Sequence, residues 1–270
     1  MTLSVVSRRV FLADLGRGAF AVAVLGVVGC GPGGSVASRP PAASASSSSG
    51  SSGPSSGSGG PGSAAPASSC AGSADPGAVA WTRVNLGFVS AYLLVRDGEA
   101  AVVDTGVAGS EDEIAAGLTG IGLDWSAVGH VILTHKHGDH AGSVSAVLTA
   151  ATGATGYIGS ADLTAVQASR PLSPVADGDT VFGLRIVGTP GHTIGHISVL
   201  DEAGGVLVAG DALGTSGGPL TGSNPQFTED ASAAQATIVK LGKLRFETLL
   251  VGHGEPILTG AAAQVAALGG

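Results

Sequence analysis

Thr134-His135-Lys136-His137-Gly138-Asp139-His140 gathers three histidines and an aspartate around one glycine. The run follows the apolar stretch Val131-Ile132-Leu133 and leads into His140–Ala151, a segment that reads as a helix. A strand that ends in a glycine turn and then enters a helix lets nearby side chains converge. His135 and His137 lie two apart and share one side of extended backbone. Asp139 and His140, at the helix start, face a second point close by. Imidazole and carboxylate are the donors that zinc takes in hydrolytic sites.

The same donor types recur downstream. Gly188-Thr189-Pro190-Gly191-His192 follows the strand candidate Leu184–Gly188, Gly210-Asp211 follows Val206–Ala209, and Gly252-His253 follows Thr248–Val251. Upstream, the strand candidate Ala100–Asp104 runs into Thr105-Gly106. Further strands are expected at Val79–Asn85, Ala91–Val95, His130–Thr134 and Ile197–Leu200. Helices are expected at Glu111–Gly120, His140–Ala151, Asp230–Gly242 and Ala261–Leu268, the first opened by a Ser110/Glu113 capping box. The early strands have no helices between them, which predicts an antiparallel start. Later elements alternate, so the class is α/β in layers. Strands that deliver ligand-type residues to one sheet edge form a pocket there.

The whole set resembles the metallo-β-lactamase superfamily, with its His-x-His-x-Asp-His motif followed by His, Asp and His. The resemblance spans residues 78–270 and implies a four-layer αββα sandwich with a two-metal site at the sheet edges. It further implies that His135, His137 and His192 hold one metal and that Asp139, His140 and His253 hold the other, with Asp211 bridging. Asp104 would orient ligands from behind, and His196 would orient or pack rather than ligate. His130, pointing away from the cluster, reads as structural. Lys136 falls in the variable slot between two ligands and reads as exposed. Thr134 is either a neighbour of the site or merely the last strand residue.

A pair of metals implies a hydrolase in which a metal-bridging hydroxide attacks a carbonyl of an ester, thioester, lactone or amide of a small molecule. Two zinc ions are expected, with iron or manganese as the other fits. Asp139, both ligand and carboxylate, is the catalytic group expected to orient the nucleophile and take its proton. Asp211 departs from the Cys or Ser usual in true β-lactamases. Gly214 stands where acyl-homoserine lactonases tend to carry a tyrosine. Only 17 residues follow His253, too few for the helical glutathione-binding region of hydroxyacylglutathione hydrolases. The alternative is an oxidoreductase like the mononuclear iron persulfide dioxygenases. The glycine-rich segment Gly214–Phe227 is a candidate for substrate contact or a lid. Phe88, between the first two strands, reads more as core than as pocket cover.

Away from the motif, the chain of 270 residues is rich in glycine (46) and poor in charge, at 12%. Residues 1–30 resemble an export signal, with Arg8-Arg9 as in twin-arginine signals and a short apolar run, Ala19–Val28. Val27-Val28-Gly29-Cys30 resembles a lipobox, which implies an acylated Cys30 and attachment to the outer face of a bacterial membrane. Release to the periplasm or medium is the other outcome. Residues 31–77 are almost wholly Ser, Gly, Pro and Ala and read as a disordered linker, about 35–40 Å in root-mean-square span. The net charge of −8 argues against nucleic acid, and nothing in the sequence points to a protein partner.

Overall fold

The computed structural model describes residues 77–270. The expected signal and most of the linker lie outside the described residues.

The first sheet has the order β1 (Ala80–Asn85), β2 (Ser90–Arg96), β3 (Glu99–Val103), β4 (Val128–Leu133), β5 (Thr155–Gly159) and β6 (Ser173–Val175). Its first three strands are antiparallel; β3 through β6 run parallel. The switch follows from the connections, because short turns join β1, β2 and β3 whereas a helix, α1 (Glu111–Gly120), intervenes before β4. The second sheet uses β7 (Thr180–Val181), β8 (Leu184–Gly188), β9 (Ile197–Asp201) and β10 (Val206–Gly210). After the small hairpin of β11 (Leu213–Gly214) and β12 (Thr221–Gly222), β13 (Thr248–Val251) pairs parallel with β10.

Strand alternation builds the layers. On the first sheet Leu93, Val102, Val131 and Leu133 pack with Ile114 and Leu118 of α1 and with Val147 and Leu148 of α3 (Val144–Ala150). Their neighbours Tyr92, Leu94, Val103 and Ile132 turn the other way, onto Ile186, Val199, Val208 and Leu250 of the second sheet. The outer face of that sheet, including Val187, Leu207 and Leu249, packs against Ile238 and Leu241 of α4 (Ala231–Leu241) and Val265 of α5 (Ala261–Gly269). The result is the four-layer αββα sandwich. None of the helices among the described residues is long and apolar enough to cross a membrane.

Three local expectations are corrected. His140–Ala151 is not one helix: α2 (Gly138–Ala141) stops at Gly142, whose N–H turns to the Gly106 carbonyl at 2.9 Å, and α3 starts after Ser143. Ser110 makes no side-chain cap. Its own N–H is held instead by Ser143 Oγ at 2.8 Å, which also donates to the Val107 carbonyl. Strands β5 and β6 had no sequence signal, because Gly156, Gly159 and Pro174 read as breakers. Both glycines mark close approaches instead: a Cβ on Gly159 would collide with the Gly195 carbonyl, and one on Gly156 would crowd Leu172.

Candidate metal centre

Four strands of the two sheets end at one edge. β4 delivers His135 and His137, β8 leads to His192, β10 to Asp211 and β13 to His253, while α2 carries Asp139 and His140. The sheets are tied there by Ile197 N–H to the Thr134 carbonyl (2.8 Å), Ser90 N–H to the Gly252 carbonyl (2.9 Å) and Tyr92 OH to the Val251 carbonyl (2.8 Å).

The structure brings all seven side chains together, in three overlapping groups: His135, His137 and His192; His135, His140 and Asp211; Asp139, His140 and His253. His137 Nδ1 lies 3.1 Å from His135 Nε2 and 2.9 Å from His192 Nε2. Asp211 Oδ1 is 3.2 Å from His140 Nε2, and its Oδ2 is 3.4 Å from His192 Nε2 and 3.2 Å from His253 Nε2. Asp139 Oδ2 is 3.2 Å from His253 Nε2.

The outward ring nitrogens are already committed. His140 Nδ1 donates to Asp104 Oδ2 at 2.8 Å, and His253 Nδ1 donates to the Phe88 carbonyl at 2.7 Å. His135 Nδ1 faces Thr134 Oγ1 and His192 Nδ1 faces Ser223 Oγ, each at 3.0 Å. Each such bond fixes a ring so that its other nitrogen points inward. Asp104 sits at φ 62°, a conformation that non-glycine residues adopt at a cost. Its carboxylate accepts the Thr134 N–H (2.8 Å) and Oγ1–H (2.9 Å) as well as the His140 proton. Thr134 is therefore a neighbour of the site and not only a strand end.

His196 stays outside the cluster. Asp211 N–H donates to its Nε2 at 3.1 Å, so the ring proton is on Nδ1, facing Thr189 Oγ1 at 2.8 Å. Burial pushes the ring down to about 3 and keeps it neutral. The imidazole holds the backbone from which Asp211 projects.

The inward rings fall into two kinds, neutral ones set by burial and ones that neighbouring carboxylates hold protonated. Burial pushes His135 well below the usual histidine range and His192 down to about 4. Burial also opposes charge on His140, but Asp104 and Asp211 outweigh it and raise the ring well above that range. Hydrogen bonds to Asp139 and Asp211 lift His253 to about 10. Burial would raise Asp211, yet His140 and His253 hold it well below the carboxylate range; the bond to His253 lowers Asp139 likewise. Carboxylates and imidazole nitrogens thus crowd one largely buried spot, where Asp211 Oδ1 makes no hydrogen bond of good geometry and has His140 Nε2 as a neighbour at 3.2 Å. Such a donor set is satisfied by cations, and these residues fit a pair of them.

The model of the metallo-beta-lactamase superfamily matches residues 84–253. The chain belongs to this superfamily. It is 30% identical over 152 residues to the uncharacterized protein YobT of Bacillus subtilis, covering 48% of this chain and 64% of that one. It is 36% identical over 135 residues to hydroxyacylglutathione hydrolase of Cupriavidus taiwanensis, covering 46% of this chain and 48% of that enzyme. It therefore spans about half to two thirds of these relatives. Among solved structures, metallo-beta-lactamase SMB-1 bound to 2-mercaptoethanesulfonate has the same fold, with a TM-score of 0.58 at 22% identity over 70% of this chain and 90% of that one.

Several contributors had no sequence signal. Asp162 follows β5 and is fully buried. Its carboxylate accepts Thr193 Oγ1–H at 2.6 Å, Gly195 N–H at 3.0 Å and Lys136 N–H at 3.1 Å, joining the first two-histidine loop to the His192 loop. Lys136 is not free: its ammonium pairs with Glu229 at 2.7 Å. Phe88 is not core. It is 63% exposed and stacks on His253, with ring centroids 6.0 Å apart. The segment Gly214–Phe227 contains β12 and supplies Ser223 to His192.

Proposed function

We propose that this protein is a dinuclear metal hydrolase acting on an ester, thioester, lactone or amide of a small molecule. The observation that carries this reading is the convergence of the Asp211 carboxylate on three inward-facing histidine nitrogens, those of His140, His192 and His253, at 3.2–3.4 Å. His135, His137 and His192 would hold one cation, and Asp139, His140 and His253 the other, with Asp211 shared. Zinc suits these donors best, with iron or manganese as the alternatives. When bound, such a pair supplies Lewis acidity to the acyl carbonyl and makes water a nucleophile at neutral pH.

The chain's own residues do the rest. Asp104, Thr134, Ser223 and the Phe88 carbonyl hold the imidazoles in one orientation, so no reorganisation is needed during reaction. Asp139 is ionised and half-buried at the cavity wall, which suits it to take the proton of the attacking water. Water adds to the acyl carbon, the bond to the leaving oxygen, sulfur or nitrogen breaks, and that atom leaves with a proton. The kinship with hydroxyacylglutathione hydrolase supports acyl hydrolysis as the reaction class. Residues 1–30 support placement outside the cytoplasm, with Cys30 as the lipid-bearing residue. Replacing Arg8 and Arg9 by lysine would then retain the protein inside the cell.

The test is metal content with turnover. The purified protein should bind two equivalents of zinc and hydrolyse activated esters or lactones, and a chelator should abolish both. One iron per chain with oxygen uptake on a persulfide would replace this reading by the oxygenase one.

A further inference from the structure

The cavity over the metal centre has a volume of about 820 Å³. It is large enough for a small molecule well beyond the reacting group. Its floor is the cluster of His137, His192, Asp139, Asp211 and His253. Its remaining wall comes from the Phe88 turn and from Leu213 through Phe227, and among the described residues it contains no lysine or arginine. Phe88 and Phe227 expose 63% and 55% of their surface, and Leu213 and Pro225 also line the cavity. The polar wall groups are neutral: Ser216, Thr221, Ser223 and Asn224.

Lys136, between His135 and His137, and Arg83, bonded to the Gly254 carbonyl beside His253, are engaged elsewhere. Lys136 pairs with Glu229 and lies close to Asp162. Arg83 is held by Glu255, Ser90 and the Gly254 carbonyl. Neither lines the cavity.

From this wall we infer that the substrate carries an uncharged, apolar arm beyond its scissile acyl bond, and that the site discriminates against substrates with a remote carboxylate. The inference rests on the hydrolase reading and narrows its substrate class. The scissile carbonyl occupies the floor, so the arm must lie along Phe88, Phe227 and Leu213. An alkyl arm gains there by leaving water. A carboxylate at the far end of the arm loses hydration and meets only amide and hydroxyl groups, with no cation to offset that loss. Glutathione thioesters, whose carboxylates lie far from the scissile bond, fit this wall poorly. Exposed phenylalanine rings at a cavity mouth offer apolar surface that suits small apolar ligands.

The experiment uses the full-length, zinc-loaded protein and two series of p-nitrophenyl esters with the same scissile bond. One series carries unbranched alkanoyl chains of increasing length; the other carries chains of the same length ending in a carboxylate. The neutral series should be turned over with at least about tenfold higher kcat/KM, equivalent to 1.4 kcal/mol. It should also gain with each methylene until the cavity is filled. Phe227→Ala should flatten that gain, and Asn224→Arg should raise kcat/KM selectively for the carboxylated series.

Binding gives a readout that needs no turnover. By calorimetry, an eight-carbon methyl ketone should bind at least tenfold tighter than the same ketone ending in a carboxylate. Equal turnover of both series, or equal affinity for the two ketones, overturns the substrate inference and leaves the hydrolase intact. Tighter binding of the neutral ketone with no turnover of any ester supports the selectivity of the wall and overturns the hydrolase reading.

Discussion

Removing the carboxylate of Asp162 should cost the protein a large share of its stability, although Asp162 is not among the candidate ligands. The side chain is fully buried and accepts three hydrogen bonds, two of them from the buried donors Thr193 Oγ1 and Gly195 N. In Asp162→Ala both donors lose their partner inside the protein. An orphaned buried donor costs about 1–3 kcal/mol, so the two together cost about 2–6 kcal/mol before relaxation. Partial entry of water into the vacated space sets the expectation at about 3–4 kcal/mol. A domain of this size is stable by about 5–15 kcal/mol, so the variant should still fold. Asp162→Asn should fall in between, because an amide oxygen accepts but its NH2 meets other donors. Lys136→Met should cost under about 1 kcal/mol, since the Lys136–Glu229 pair is partly exposed and solvent-screened. The assay is urea unfolding of the metal-free protein followed by near-ultraviolet circular dichroism, with the midpoint read at constant m-value. A loss below about 1 kcal/mol in Asp162→Ala would refute the reasoning. So would a Lys136→Met loss as large.

Three other outcomes follow from the geometry. Asp211→Ala should lower bound metal from two equivalents to one or none, measured by elemental analysis, and abolish turnover; full occupancy with retained rate would remove Asp211 from its bridging place. Gly252→Ala should cut metal affinity and turnover about 100-fold, because a Cβ there would strike Asp211 Oδ1 and come within 2.6 Å of His140 Cε1; normal activity in a folded variant would show that the strand end can shift. The third concerns pH. His196 is held near 3 in the folded protein, below its ordinary 6.5, so only the unfolded chain takes up its proton in between. Its contribution to stability is therefore complete above pH 6.5 and declines as pH falls toward 3, by about 1.4 kcal/mol per unit. His196→Gln in the metal-free protein should reduce the slope of stability against pH from 6 to 4 by about that amount; an unchanged slope would mean that the ring is protonated in place.

The cluster was legible because its chemistry is local and punctuated. His135 through His140 are adjacent in the chain, and His192, Asp211 and His253 each follow an apolar strand and a glycine. Glycine there is a packing requirement, as at Gly252, where any side chain would enter the site. Asp104 was legible for the same reason, as a carboxylate at a strand end. Strands β5 and β6 were hidden because glycine and proline carry opposite meanings in a turn and in a crowded sheet. The break after α2 was hidden because Gly142 is allowed in a helix; the Gly106 carbonyl that draws its N–H away lies 36 positions earlier. Asp162 looked like any loop aspartate, since its three donors come from two other loops.

The sequence by itself determined the layered α/β class and pointed to the seven candidate donors and to the sheet edge where they meet, because strand periodicity and metal-ligand chemistry are written in neighbouring residues. Only the tertiary structure decided which nitrogen of each imidazole points inward, that Asp162 clamps the two histidine loops, and that Phe88 lies open over His253. It also showed that, among the described residues, no lysine or arginine lines the cavity wall. Those features depend on hydrogen bonds and packing between segments far apart in the chain, and no local pattern encodes such distances.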